Sequence, residues 1–105
     1  MDSEPRVSSL TTLVQYQSES VVSKVLIKKE TGNVTLFAFD KGQELSEHTA
    51  PFDALVQVIE GKADVILDGK SNITKDGEMI IMPANIPHAL KAVEKFKMML
   101  IMIRS

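Results

Sequence analysis

The chain is predicted to be all-β, a sandwich or small barrel formed by one domain. Three observations carry this. From Val21 onward the apolar residues recur with a period of two. Thr31-Gly32-Asn33, Glu60-Gly61, Asp68-Gly69 and Asp76-Gly77 divide the chain into short runs at near-regular spacing. No helical pattern alternates with those runs, so no parallel βαβ arrangement is expected. The 105 residues suit one folding unit, and 44% apolar with 25% charged residues is the balance of a globular protein.

Residues 1–20 are read as an N-terminal arm and residues 21–105 as the barrel. In the arm, Leu10, Leu13 and Val14 have helical spacing, so one helical turn is expected there and no helix elsewhere. Tyr16 is expected to anchor the arm. Val21 to Ile27 is the first strand, rich in β-branched residues. Val34 to Phe39 is the second. Both of its faces are apolar, with Val34, Leu36 and Ala38 on one and Phe37 and Phe39 on the other. A strand of that kind is covered on both sides.

Ala54 to Ile59 is the next strong strand, after a polar stretch. Ala63 to Leu67 and Ser71 to Thr74 form a hairpin. Asp68-Gly69 signals its type I′ turn, which needs positive φ at both central residues. Met79 to Met82 runs up to Pro83, and His88 to Val93 and Phe96 to Ile103 complete the set. Lys95 and Lys97 flank Phe96 and are read as a solvated turn.

Composition excludes several classes of function. There are 12 basic and 14 acidic residues, a formal net charge of -2. That balance gives no bulk attraction to nucleic acid or to an anionic membrane. The absence of cysteine removes disulfides, thiolate nucleophiles and cysteine metal sites. The longest apolar run, Met98 to Ile103, is six residues, far below the ~20 of a spanning helix. The start of the chain lacks the pattern of a secretory signal, so a cytoplasmic protein is expected.

Two segments go beyond strand pattern. One runs from Gly42 through His48, Ala50, Pro51 and Ala54 to Gly61. The other runs from Gly77 through Pro83, Asn85 and Pro87 to His88. Together they resemble the two motifs of the cupin family. The first family motif joins a glycine, a His-x-His pair, a glutamate and a closing glycine. The second joins a glycine, Pro-x-Gly, a histidine and an asparagine. The resemblance covers about Val21 to Ile103. It implies a double-stranded β-helix, the cupin jelly-roll barrel, with a pocket between its sheets.

Gly42, His48 and Gly61 match the first motif, and Gly77, Pro83 and His88 match the second. Ala50 stands for the second histidine and Ala54 for the glutamate. Asn85 stands for the second glycine, which asparagine can replace in left-handed backbone. Ala92 stands for the asparagine. Metal-binding cupins use three histidines and one glutamate, so the resemblance leaves His48 and His88 as the metal candidates here. Two imidazoles plus water would hold a divalent ion of iron, manganese, nickel or zinc weakly. Strand alternation turns Gln57 and Glu47 away from the pocket, while a bend at Pro51 could re-aim Asp53. The methionines read as core filler, or as a soft metal site if several share one strand face.

The expected pocket is lined by His48, Ala50, Phe52, Ala54, Val56, Met82 and His88. The leading reading is a small-molecule-binding cupin with an apolar pocket and two polar imidazoles. The alternative is a metal-dependent oxygenase, isomerase or lyase using two histidines plus waters. A metal-free enzyme with histidine as general base is weaker, because no carboxylate is placed to orient either ring. Sugar phosphates fit poorly, since Arg6 and Arg104 are the only arginines and neither lies in a motif. A homodimer is expected, because Phe37, Phe39, Leu55, Ile59, Met99, Ile101 and Ile103 would otherwise leave a large apolar patch.

Overall fold

The computed structural model describes residues 5–104. Residues 1–4 of the expected arm and residue 105 of the expected barrel lie outside the described residues. Among the described residues nine strands follow one another: β1 Val21–Lys29, β2 Gly32–Phe39, β3 Glu44–His48, β4 Asp53–Glu60, β5 Lys62–Leu67, β6 Lys70–Lys75, β7 Met79–Met82, β8 His88–Ala92 and β9 Phe96–Ile103. They form two sheets in the orders β1-β2-β9-β4-β7 and β3-β8-β5-β6. Every pairing is antiparallel. The all-β jelly-roll expectation therefore holds. Asp68 and Gly69 have φ of 51° and 80°, as the predicted type I′ turn requires.

The two sheets enclose one main core. Val56, Val58, Val65, Phe39, Phe96 and Met98 in it are fully buried. Phe39 and Phe96 stack with ring centroids 4.5 Å apart. Phe37 also packs on this core. That corrects the expected face of β2: the phenyl rings point into the barrel, and Leu36 and Ala38 point outward. Both faces of β2 are apolar, so periodicity alone could not choose between them. The bulkier rings fill the wide space between the sheets.

The outward face of β2 is covered by the arm. Val14 is buried against Leu36 and Ala38, with Leu10, Leu13, Tyr16, Ile59 and Met99 packed around them. The expected helical turn is only a hydrogen-bonded turn, in which Thr12 N–H donates to Ser9 O at 3.1 Å. No described residue is helical. Lys97 corrects the solvated-turn reading. It is 4% exposed, and its ammonium donates to Thr11 O beneath the arm. The Tyr16 ring lies 4.8 Å from the Lys97 ammonium and 4.9 Å from that of Lys95. Tyr16 donates its hydroxyl hydrogen bond to Glu60 at 2.8 Å.

The arm leaves the other half of this outer face open. Ile81 is 54% and Ile103 63% exposed, beside half-buried Leu55 and Ile101. Of the seven residues expected to form a patch, Phe37 and Phe39 are inward and Ile59 and Met99 lie under the arm. Only Leu55, Ile101 and Ile103 remain.

Candidate functional site

The site lies at one end of the barrel, where β3 and β8 bring two distant histidines together. The β3–β8 register pairs Leu45 with Leu90 and His48 with His88, so β3 spends one more residue than β8 between these pairs. This is a β-bulge, and it turns His48 to the same face as Leu45. Strict alternation along β3 would have sent His48 to the opposite face. Two neighbouring loops close the end. Asn85, at φ 65°, donates its N–H to Ala50 O at 2.7 Å, and Ala84 N–H donates to Asp53 Oδ1 at 2.8 Å. These bonds hold Ala50 and Phe52 beside the segment that leads into His88.

His88 is buried at 7% exposure and His48 is exposed at the mouth. Their rings meet edge to face with centroids 4.2 Å apart, and the two Nε2 atoms are 3.0 Å apart. Each Nδ1 lies near a backbone carbonyl, at 2.9 Å from Ser46 O for His48 and 3.2 Å from Ile86 O for His88. A carbonyl can only accept, so a ring that makes its Nδ1 contact carries a hydrogen there. With both contacts made by neutral rings, the two Nε2 lone pairs face one another. Two such acceptors at hydrogen-bond distance repel unless a proton, a donor or a cation lies between them. Burial is the first cause holding His88 below the usual histidine pKa; the Ile86 carbonyl opposes it and His48's charge adds to it.

The cavity beside the pair has a volume of about 140 Å³. Ala50, Phe52, Ala54 and Met82 line it, as expected from the sequence. Leu45, Leu90, Leu100 and Met102 line it too, and sequence reasoning missed them. Alternation along β9 already placed Met102 with Leu100 and Met98 on one face, so that signal was available. Val56 corrects the expectation: it is fully buried in the core and does not border the cavity. Arg104 stands with its guanidinium carbon 5.1 Å from the centre of the Phe52 ring at the edge of the site.

The remaining polar candidates stay outside. Asp53 is exposed and occupied by the Ala84 N–H, on the outer side of β4. Glu47 and Gln57 do not line the cavity. No group of three or more His, Cys, Asp or Glu among the described residues is placed to hold a metal ion. The donor set does not fit a tightly held divalent ion, because two imidazoles face alanine, phenylalanine and thioethers where further charged ligands would be needed. No helix among the described residues is long and apolar enough to cross a membrane.

Comparison with known proteins follows this geometry. The family model for the cupin domain matches residues 35–104. A conserved protein of unknown function from Streptococcus pyogenes superposes with a TM-score of 0.93 at 36% identity, over 97% of this chain and 90% of that one. A cupin 2 conserved barrel domain protein from Leptotrichia buccalis gives 0.87 at 44% identity, over 90% of this chain and 46% of that one. A salicylate 1,2-dioxygenase from Pseudaminobacter salicylatoxidans gives 0.74 at 18% identity, over 79% and 26%, a likeness of fold alone. No curated protein matches the chain.

Proposed function

The chain belongs to the cupin family, and from that premise we propose that its barrel pocket binds a small, mostly apolar molecule through a single hydrogen-bond donor. The observation that supports this is the convergence of two Nε2 atoms, 3.0 Å apart, at the end of an otherwise apolar cavity. A hydroxyl or acidic O–H placed there relieves the repulsion of the two lone pairs. A cavity of about 140 Å³ is of the order that admits one benzene-sized molecule. The ligand class is therefore a single ring or short branched chain bearing one O–H or N–H.

The enzyme alternative needs a divalent metal on His48 and His88 with water completing its shell. The convergent Nε2 atoms favour it; the lack of any carboxylate lining the cavity opposes it. Mass spectrometry under native conditions on protein purified without tag or chelator separates the two. A retained organic molecule, lost on His88→Ala, is the expected result. Stoichiometric iron, manganese, nickel or zinc without an organic ligand overturns the small-molecule reading.

We also propose that two copies pair through the uncovered half of the outer face. Leu55 on β4, Ile81 on β7 and Ile101 and Ile103 on β9 line one shallow depression there. Two such faces related by a twofold axis would cover each other.

A further inference from the structure

The cavity contains two side chains that the reading above does not use, the thioethers of Met82 and Met102. Both residues are cross-strand partners of Ala54, from β7 on one side and β9 on the other. Neighbouring strands lie about 4.8 Å apart, so the two methionines flank Ala54 and its methyl group leaves the space between them open. Met82 is buried and Met102 half-buried, and both border the cavity that His48 and His88 border. Core filling accounts for Met98, which is fully buried and does not border the cavity. Met82 belongs to the buried core and Met102 packs against it, yet unlike Met98 both also border the open space beside the two imidazoles.

The donors are soft and neutral. Thioether sulfur is polarisable and binds hard divalent ions poorly, whereas it suits Cu(I). Charge points the same way. The cost of burying an ion rises with the square of its charge, so a monovalent ion costs about a quarter as much as a divalent one in a pocket without carboxylates. The carbonyl contacts at both Nδ1 atoms favour the tautomers that present Nε2 to an ion. No cysteine exists in the chain to compete for a soft ion.

We propose that His48, His88, Met82 and Met102 form a binding site for a soft monovalent metal ion, Cu(I), with Ag(I) as its redox-inert analogue. This goes beyond the small-molecule reading and draws on the same cavity, whose lining includes both methionines.

The test is a titration of the full chain, labelled with carbon-13 at the methionine methyl groups, with Ag(I), followed by NMR. Calorimetry with Ag(I), anaerobic Cu(I) and Zn(II) accompanies it. One Ag(I) per chain should shift the Met82 and Met102 methyl signals together and leave Met79 and Met99 in place. Zn(II) should bind at least about tenfold more weakly than Ag(I). Met82→Leu and Met102→Leu should each weaken Ag(I) binding about tenfold to a hundredfold. Should Met82→Leu not fold, the half-buried Met102→Leu and the wild-type spectra decide. The proposal fails if Met79 shifts first, if the leucine variants bind Ag(I) as tightly as wild type, or if Zn(II) matches Ag(I).

Discussion

His48 and His88 are separated by 40 residues and meet with their Nε2 atoms 3.0 Å apart. One of the pair is solvent-exposed and the other is 7% exposed. The meeting depends on the bulge in β3, because the residue count between Leu45 and His48 exceeds that between His88 and Leu90. Everything chemical in the pocket is arranged around these two atoms.

Ala50 and Ala54 line the cavity at the positions where the cupin motif has a second histidine and a glutamate. Replacing both, Ala50→His with Ala54→Glu, should restore a full ligand set. The double variant is expected to bind Zn(II) or Mn(II) about a hundredfold more tightly than wild type. Metal content after dialysis checks this, and a variant that emerges metal-free would show that the two positions do not aim at the histidine pair.

Stability should depend on pH through His88. Its pKa is depressed in the folded protein, by burial first and by the charge of His48 as well. The unfolded chain therefore takes up the proton before the folded one does as pH falls. The contribution of neutral His88 is complete above the unfolded value of about 6.5 and declines as pH drops toward the folded value. Urea midpoints from pH 8 to pH 5 should fall on the acid side, and His88→Gln should flatten that fall. Equal slopes in both proteins would assign the acid sensitivity to other groups.

Gly61 is the most restrictive glycine. It has φ +96°, and an added Cβ would lie 2.1 Å from Lys95 O and 2.6 Å from Phe96 Cα. Gly77 has φ +78° but open space around it. Gly61→Ala should lose about 3 kcal/mol or more of stability, or fail to fold, whereas Gly77→Ala should lose about 1 kcal/mol. Chemical denaturation of the two variants side by side measures the difference, and similar losses would mean that the β4–β5 turn can shift.

Val14 is the deepest residue of the arm, at 3% exposure. Val14→Ala should cost about 1–3 kcal/mol, by lost burial and an unfilled space over Leu36 and Ala38. Tyr16→Phe should cost about 1 kcal/mol by leaving Glu60 without its phenol partner. A thermal shift near zero for both would place the arm off the sheet in solution.

Ile103 is 63% exposed on the proposed pairing face. Sedimentation equilibrium at micromolar concentration is expected to give a dimer of the 11.6 kDa chain, and Ile103→Lys a folded monomer. An 11.6 kDa wild-type species would remove the dimer. Charges at Phe39 or Ile59 should unfold the chain instead, since one lies in the barrel core and the other under the arm.

Much of the fold was legible from residues alone. Strands such as Ala63 to Leu67 announce themselves by alternation, and Asp68-Gly69 by the φ that its turn demands. Short-range sterics set both, so neighbours in sequence suffice. The pairing of His48 with His88 was legible only because two motif halves matched a known family. Strand β3, Glu44–His48, was not, because its exposed polar residues carry no period.

The tertiary structure alone decided three matters. It chose which apolar face of β2 looks inward, because only the opposing sheet shows that Phe39 stacks on Phe96. It buried Lys97, because the nearest partner of its ammonium, Thr11 O, lies 86 residues earlier in the chain. It withdrew Val56 into the core, because β4 runs through sheet twist and register that no local pattern encodes. Sequence fixes what each residue prefers; the closure of two sheets over one cavity determines which of those preferences end up sharing a site.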